Sequence, residues 1–148
     1  MSSINYAKTI QKAILPSNSK ISKIFPENFV IYRPKDIVSG DFYWFSNIVK
    51  EELEGKFEND VTFIASIDCT GHGVPGAFMS IIGNTLLNEI INLKHILNPA
   101  EVLELLDKGV KKAVDKAEGV NTAGMDVSLA RIERLNDKEV KILFAGAK

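Results

Sequence analysis

Two aspartates stand where the chain turns beside glycines, at the ends of predicted strands. Asp68 follows the apolar, β-branched run Val61–Ile67 and precedes a glycine-rich turn, and Asp41 lies between Gly40 and the aromatic run Phe42–Phe45. Carboxylate oxygens are the ligands that Mg²⁺ and Mn²⁺ prefer, and glycine lets the backbone turn so that a metal can come close. The pattern predicts a shared divalent-metal site that hydrolyses phosphate esters through a metal-activated water, or else two aspartates that only form turns.

Three further polar residues could take part in such a reaction, and each has a plainer interpretation. His72, in the glycine-rich turn, could donate a proton to a leaving group or hold local hydrogen bonds. Arg33 could bind a substrate phosphate through its planar guanidinium or form a surface ion pair. Asp126 interrupts an apolar strand, where it could be a metal ligand or face solvent together with Ser128.

Length and composition indicate one soluble domain. The 148 residues are 45% hydrophobic and carry a formal net charge of -1, which gives no broad attraction to nucleic acid or membrane surfaces. We see no secretory signal and no apolar stretch that approaches the roughly 20 residues needed to span a bilayer. Cys69 is the only cysteine, so neither an internal disulfide nor a zinc cluster of thiolates can form, and we expect a cytoplasmic protein.

The amino-terminal segment Ser3–Leu15 is predicted to be an amphipathic helix that stops at Pro16. Its apolar residues recur at steps of three and four, and polar residues lie between them. The apolar stripe is Ile4, Ala7, Ile10 and Ile14, and the polar residues are Lys8, Gln11 and Lys12. The stripe either packs on its own domain, or the helix continues an upstream signalling helix or pairs with a second copy.

The rest of the chain divides into strands and helices separated by turn residues. The predicted elements are a connector over 17–28, strands Phe29–Arg33 and Phe42–Val49, a charged loop Lys50–Asp60, a strand ending at Asp68, a largely buried helix Pro75–Leu93, a helix capped by Asn98, and strands Met125–Leu135 and Lys138–Ala145. The order is helix, three strands, two helices and two strands. This order favours an α+β fold with a layered antiparallel sheet.

Three stretches resemble the PPM/PP2C superfamily of metal-dependent protein phosphatases, and within it the bacterial SpoIIE/RsbU-like branch. They are YRPKDIVSGDFYWF (Tyr32–Phe45), IDCTGHGVPGAFMS (Ile67–Ser80) and GMDVSL (Gly124–Leu129). The resemblance implies a PP2C-like layered sheet with packed helices. It also implies that the opening helix, residues 1–16, is a linker, and that residues 17–148 form the amino-terminal part of a phosphatase domain.

The resemblance assigns roles to particular residues. It implies that Asp41, Asp68 and the backbone carbonyl of Cys69 ligate Mn²⁺ or Mg²⁺, with two ions in a complete domain. No arginine-rich phosphate loop follows Cys69, so we interpret its thiol as incidental rather than as the nucleophile of a thiol phosphatase. Further carboxylates of the family fall beyond Lys148, which implies weak or no activity for this chain alone and an exposed sheet face that favours self-association.

Two functions remain open at this point. The first is a serine/threonine phosphoprotein phosphatase domain that acts on a phosphorylated signalling partner, such as an anti-sigma-factor antagonist, downstream of a sensor or receiver domain. The second is a catalytically incomplete interaction or homodimerisation module. Nucleotide binding at Gly71-His72-Gly73 is disfavoured, because the turn lacks a Lys-Ser/Thr pair and the Gly-x-Gly-x-x-Gly spacing. We expect neither nucleic-acid binding nor membrane insertion.

Overall fold

The computed structural model describes residues 2–115 and 123–148. Four helices and four strands follow one another along the chain. They are α1 (Ser3–Ile14), α2 (Asn18–Ile24), β1 (Phe42–Ile48), a 3₁₀ turn (Lys50–Leu53), β2 (Val61–Cys69), α3 (Gly73–Leu87) with a π-helical continuation (Asn88–Leu93), α4 (Pro99–Val114), β3 (Met125–Arg134) and β4 (Val140–Ala147).

The strands form one antiparallel sheet in the order β1-β2-β3-β4. Its register pairs Phe42 with Ile67 and Ala65 with Leu129. Side chains alternate between faces along each strand, so these apolar residues share one face, which α3 and α4 cover. The prediction of an α+β fold with a layered antiparallel sheet and packed helices is confirmed.

The opposite face of the sheet is not covered by a helix layer in the described part of the chain. The segment from Phe25 to Tyr32 lies over it at the β1 side, where the Phe25 ring meets the Phe45 ring edge-on at 6.3 Å and Tyr32 meets Tyr43 at 5.7 Å. An open cavity of about 890 Å³ lies between this segment and the sheet. We call this side of the sheet the open face.

The predicted strand Phe29–Arg33 is wrong, because this segment pairs with no strand. Its residues are strong strand formers, but a strand needs a neighbouring edge, and propensity alone does not supply one. The Tyr32–Tyr43 contact holds the segment over the face of β1 instead of beside its edge. Phe29 is consequently 86% exposed.

The connector predicted over residues 17–28 contains a short helix, α2, that the prediction missed. Ser17 caps it by accepting a hydrogen bond from the Lys20 backbone N–H through its side chain. Seven residues are too few to show a clear apolar period. The cap of α4 is as predicted, since the Asn98 side chain accepts from the N–H groups of Ala100 and Glu101.

Helix α1 packs against α3 with Ile4, Ala7 and Ile14 of the predicted stripe half-buried, but two residues of the helix differ from the prediction. Gln11, assigned to the polar face, is only 4% exposed, whereas Ile10 of the apolar stripe is 44% exposed. The Gln11 side chain donates hydrogen bonds to the Ser39 carbonyl and to Ser80 Oγ, and these bonds hold it inward. The prediction that α1 also continues an upstream helix or pairs with a second copy stays a prediction.

Helix α3 and its π-helical continuation, residues 73–93, form a helical stretch of 21 residues that is apolar enough to cross a membrane by length and composition. The expectation that no apolar stretch approaches such a length was therefore wrong. Burial explains the composition, because Met79, Leu87 and Ile91 pack in the core beneath the sheet. The helix is less enclosed than predicted, since Phe78 and Leu93 are exposed.

Candidate metal centre

The antiparallel register of β1 and β2 brings Asp41 and Asp68 together. Phe42 pairs with Ile67, so the residues one step further, Asp41 and Asp68, stand opposite each other. Directly opposed side chains in an antiparallel pair point to the same face, and these two line the cavity on the open face. Their carboxyl groups are close enough for Asp68 to affect the protonation of Asp41.

This proximity changes the protonation of Asp41. Partial burial raises the pKa of the Asp41 carboxyl above its ordinary value, and the hydrogen bond and negative charge of Asp68 raise this pKa further. Among the described residues, no lysine or arginine forms an ion pair with either carboxylate. Two adjacent carboxylates without a basic partner fit a divalent cation, which would relieve their repulsion and take oxygen ligands.

Close backbone packing holds the Asp41 loop against the start of α3. A Cβ atom added to Gly76 would lie 2.7 Å from the Gly71 carbonyl oxygen and 2.9 Å from the Gly40 Cα. A Cβ atom added to Gly40 would lie 2.9 Å from the Cys69 carbonyl oxygen, and the Cys69 N–H donates to the Gly40 carbonyl at 3.4 Å. Only glycines allow the strand ends and the helix to approach this closely.

Asp126 is next to Asp68 in the register but does not complete a metal cluster. Its Cα pairs with that of Asp68 across β2 and β3. Within residues 2–115 and 123–148, no three His, Cys, Asp or Glu side chains lie close enough together to hold a metal ion. The structure thus joins two of the predicted carboxylates, and the metal-ligand role of Asp126 stays a prediction.

The Cys69 thiol belongs to the hydrophobic core, not to the site. Burial, followed by the charges of Asp68 and Asp41, raises the pKa of the thiol to about 12. The thiol is therefore protonated at neutral pH and is a poor nucleophile. This agrees with its interpretation as incidental, while the predicted metal contact of the Cys69 carbonyl stays a prediction.

His72 is hydrogen-bonded to Asp36, whereas Arg33 lies at the cavity that holds Asp41 and Asp68. The His72 ring is 83% exposed, and its Nδ1 lies 3.1 Å from Oδ2 of Asp36. Since a carboxylate only accepts, Nδ1–H donates to it. Arg33 is exposed and lines the same cavity as Asp41 and Asp68. Their predicted roles as proton donor and phosphate ligand are untested by this geometry.

Sequence reasoning missed several residues that support the site. Asp36 lies in the same motif as Asp41, and the nearby His72 could have suggested a partner for it. Gln11 of α1 and Ser39 hold the Asp41 loop through buried hydrogen bonds. No sequence signal pointed to Gln11, because a glutamine between lysines on a helix is normally exposed.

Comparison with known proteins gives a likeness among solved structures. A scan against protein-family models finds no match, and a search of curated proteins finds none either. Among solved structures, the chain is similar to the SiaA-PP2C domain of Pseudomonas aeruginosa, with 30% sequence identity and a TM-score of 0.76. The match covers 99% of this chain and 52% of that chain, so this chain spans about half the length of its structural neighbour.

The comparison and the motifs agree. The stretches that suggested the resemblance carry Asp41 and Asp68, and the fold sets these two residues side by side at neighbouring strand ends. The identity with the SiaA domain extends the likeness from fold to sequence. The chain therefore has the fold and sequence features of part of a PP2C-type domain, and it matches about half of its structural neighbour.

Proposed function

We propose that the chain is the Mn²⁺- or Mg²⁺-binding part of a serine/threonine phosphoprotein phosphatase of the SpoIIE-like branch. The observation that carries the proposal is the convergence of the Asp41 and Asp68 carboxyl groups without a basic partner among the described residues. A PP2C-type neighbour at 30% identity supports the reaction class.

Each residue of the site has a distinct task in the proposed reaction. Asp41 and Asp68, with the Cys69 carbonyl, would hold the cation, which supplies Lewis acidity that activates water and offsets charge on a phosphoryl group. Arg33, on the same cavity, orients the substrate phosphate through paired N–H donors. His72 gives a proton to the leaving oxygen, and Asp36 holds its ring by accepting from Nδ1–H.

The physiological setting follows from the same proposal. The substrate is a phosphoserine or phosphothreonine on a partner signalling protein in the cytoplasm, of the anti-sigma-factor antagonist type, and a sensor or receiver domain controls the phosphatase. Two carboxylates are few ligands for an ion that dehydrates reluctantly. We therefore expect weak metal binding and low turnover from this chain by itself.

Mn²⁺ binding tests the proposal directly. We expect the chain to bind Mn²⁺ in the millimolar range or tighter in electron paramagnetic resonance titrations, and Asp68→Asn to weaken binding roughly tenfold or more, about 1.4 kcal/mol. Asp107→Asn is the matched control, because Asp107 is an exposed aspartate of α4 paired with Lys111. Mn²⁺-dependent hydrolysis of p-nitrophenyl phosphate, lost in Asp68→Asn, would support catalysis.

Two outcomes would contradict the proposal. One is a chain that binds no Mn²⁺ even at several millimolar. The other is binding that Asp68→Asn and Asp107→Asn reduce equally, which would indicate general attraction to surface acids. Metal binding without turnover would leave the metal centre in place and favour the interaction module.

A further inference from the structure

Gln11 is the buried polar residue of α1, and both the N–H₂ group and the oxygen of its side-chain amide form hydrogen bonds. Its Nε2 donates to the Ser39 carbonyl at 2.5 Å and to Ser80 Oγ at 3.0 Å, and its Oε1 accepts from the Ser39 N–H at 2.9 Å. A glutamine amide offers two N–H donors and one oxygen acceptor, so each group has a partner. Ser80 in turn donates to the Ala77 carbonyl within α3.

These contacts lead directly to Asp41. Both backbone groups of Ser39 are taken by the same Gln11 amide, and Ser39 Oγ accepts from the Asp41 N–H at 3.0 Å. Between Ser39 and Asp41 stands only Gly40, whose backbone has wide conformational freedom. The direction in which Asp41 leaves the loop therefore depends on how Ser39 is held.

The link between α1 and the Asp41 loop is strong because it is buried. If α1 moved away, the Ser39 peptide groups and the Gln11 amide would lose their partners inside the protein, which is more costly than losing an exposed hydrogen bond. Helix α1 and the Asp41 loop therefore move as one unit.

We propose that Gln11 is a positioning residue that fixes Asp41 relative to Asp68, which makes α1 a structural part of the metal centre. The inference has two halves. The functional half, the effect of Gln11 on metal binding, rests on the proposed function. The structural half, the effect of Gln11 on the Asp41 loop, can be measured in metal-free protein. Gln11 itself contacts neither the carboxylates nor the cavity that they line.

The structural half is tested by amide hydrogen exchange in EDTA. Gln11→Met keeps the length of the side chain and the helix but removes its hydrogen bonds. We expect the Ser39 and Asp41 amides to exchange at least about tenfold faster in this variant, as expected for local opening, while amides of β2 keep their protection. Lys12→Met is the matched control, because it places the same side chain on the exposed side of the same helix.

The functional half is tested by Mn²⁺ titration. We expect Gln11→Met to weaken Mn²⁺ binding roughly tenfold, in the range found when groups supporting metal ligands are removed. Ser80→Ala should have a much smaller effect, because it leaves both Gln11–Ser39 hydrogen bonds in place. Val102→Ala opens a cavity at a buried position of α4, so it controls for a general loss of stability. It should leave the Mn²⁺ affinity unchanged.

Each outcome decides a different point. Unchanged exchange at Ser39 and Asp41 in Gln11→Met overturns the inference whatever the metal data show. Faster exchange with unchanged Mn²⁺ affinity, or an equal loss of affinity in Val102→Ala, reduces Gln11 to a general packing role and also overturns it. If the unmodified chain binds no Mn²⁺, the proposed function fails, and the exchange data in EDTA still decide whether Gln11 positions the Asp41 loop.

Discussion

The Asp41 carboxyl holds its proton to a higher pH than an ordinary aspartate. Partial burial is the main cause of the raised pKa, and the neighbouring Asp68 carboxyl adds a hydrogen bond and a negative charge. Placing two like charges side by side costs stability in the absence of a cation, and such costs are common where binding residues are gathered. The Asp41–Asp68 pair should therefore be a weak point of the metal-free fold.

Removing the charge of Asp41 should stabilise the metal-free chain. When the pKa of a carboxyl is higher in the folded state, the protein loses stability as pH rises from the ordinary pKa of 3.8 through the pKa of the folded state. We expect Asp41→Asn to raise Tm in EDTA at pH 7 by roughly 1–3 °C, kept small by solvent screening, and to have no effect near pH 3.5. Thermal unfolding followed by circular dichroism between these pH values measures this.

Asp107→Asn serves as the control for that measurement, because Asp107 gains rather than loses from its charge by pairing with Lys111 at 2.7 Å. A lower Tm for Asp41→Asn at pH 7 would show that the Asp41 carboxylate stabilises the metal-free fold, contrary to the expectation. An equal rise at both pH values would attribute the effect to something other than charge.

At the level of elements, the contact between the loop before β1 and the start of α3 determines the shape of the site. Gly40 and Gly76 meet backbone to backbone, and the Gly71 carbonyl lies against both. Gly71 itself has φ 92°, a conformation that favours glycine. The loop that carries Asp41 is therefore held between the start of α3 and the Cys69 carbonyl, which lies at the strand end beside Asp68.

A side chain at position 76 should force these elements apart. We expect Gly76→Ala to lower the free energy of unfolding by about 1–3 kcal/mol, since its Cβ would overlap backbone atoms that have no rotamer to change. The variant should also bind Mn²⁺ more weakly. Urea unfolding and Mn²⁺ titration measure the two effects.

Gly146→Ala is the matched control, because a Cβ there would come no closer than 3.4 Å to the Phe144 ring, and its φ is not in the left-handed region. It should change stability little. If Gly76→Ala proves as stable as Gly146→Ala, the glycine contact is looser than the distances indicate.

The elements also show what the sequence can and cannot predict. Long periodic segments such as β2 and α4 are predicted well, because the spacing of apolar residues within each segment shows which face is buried. The pairing of Asp41 with Asp68 is predicted from their glycine-flanked positions together with the family resemblance, and the register of β1 and β2 places them side by side. The false strand at Phe29–Arg33 and the inward turn of Gln11 depend on contacts with distant residues, which local patterns do not contain.

For the molecule as a whole, the unequal faces of the sheet are the main feature. Helices α3 and α4 cover one face, whereas the open face exposes apolar side chains of the edge strand β4. Val140, Ile142 and Phe144 alternate along that strand and share the open face. Exposed apolar edge strands favour association with other chains.

We expect the chain to self-associate through this face. Sedimentation velocity at increasing concentration should show dimers or larger species, and the double substitution Ile142→Lys with Phe144→Lys should shift the chain toward monomer, because edge lysines oppose pairing. Lys141→Ser, on the other face of the same strand, is the control. A monomer at every concentration would contradict the expectation, and so would association that the double substitution leaves intact.

The position of Trp44 makes the candidate site suitable for optical detection. It is the one tryptophan of the chain, and it lies three residues after Asp41 on β1, about 10 Å away at the usual rise of a strand. Energy absorbed by an indole passes over such a distance to a terbium ion, which shares the preference of hard cations for carboxylate oxygens. Green luminescence on excitation of the indole would therefore report occupancy without any added label, and manganese could be followed by its displacement of terbium.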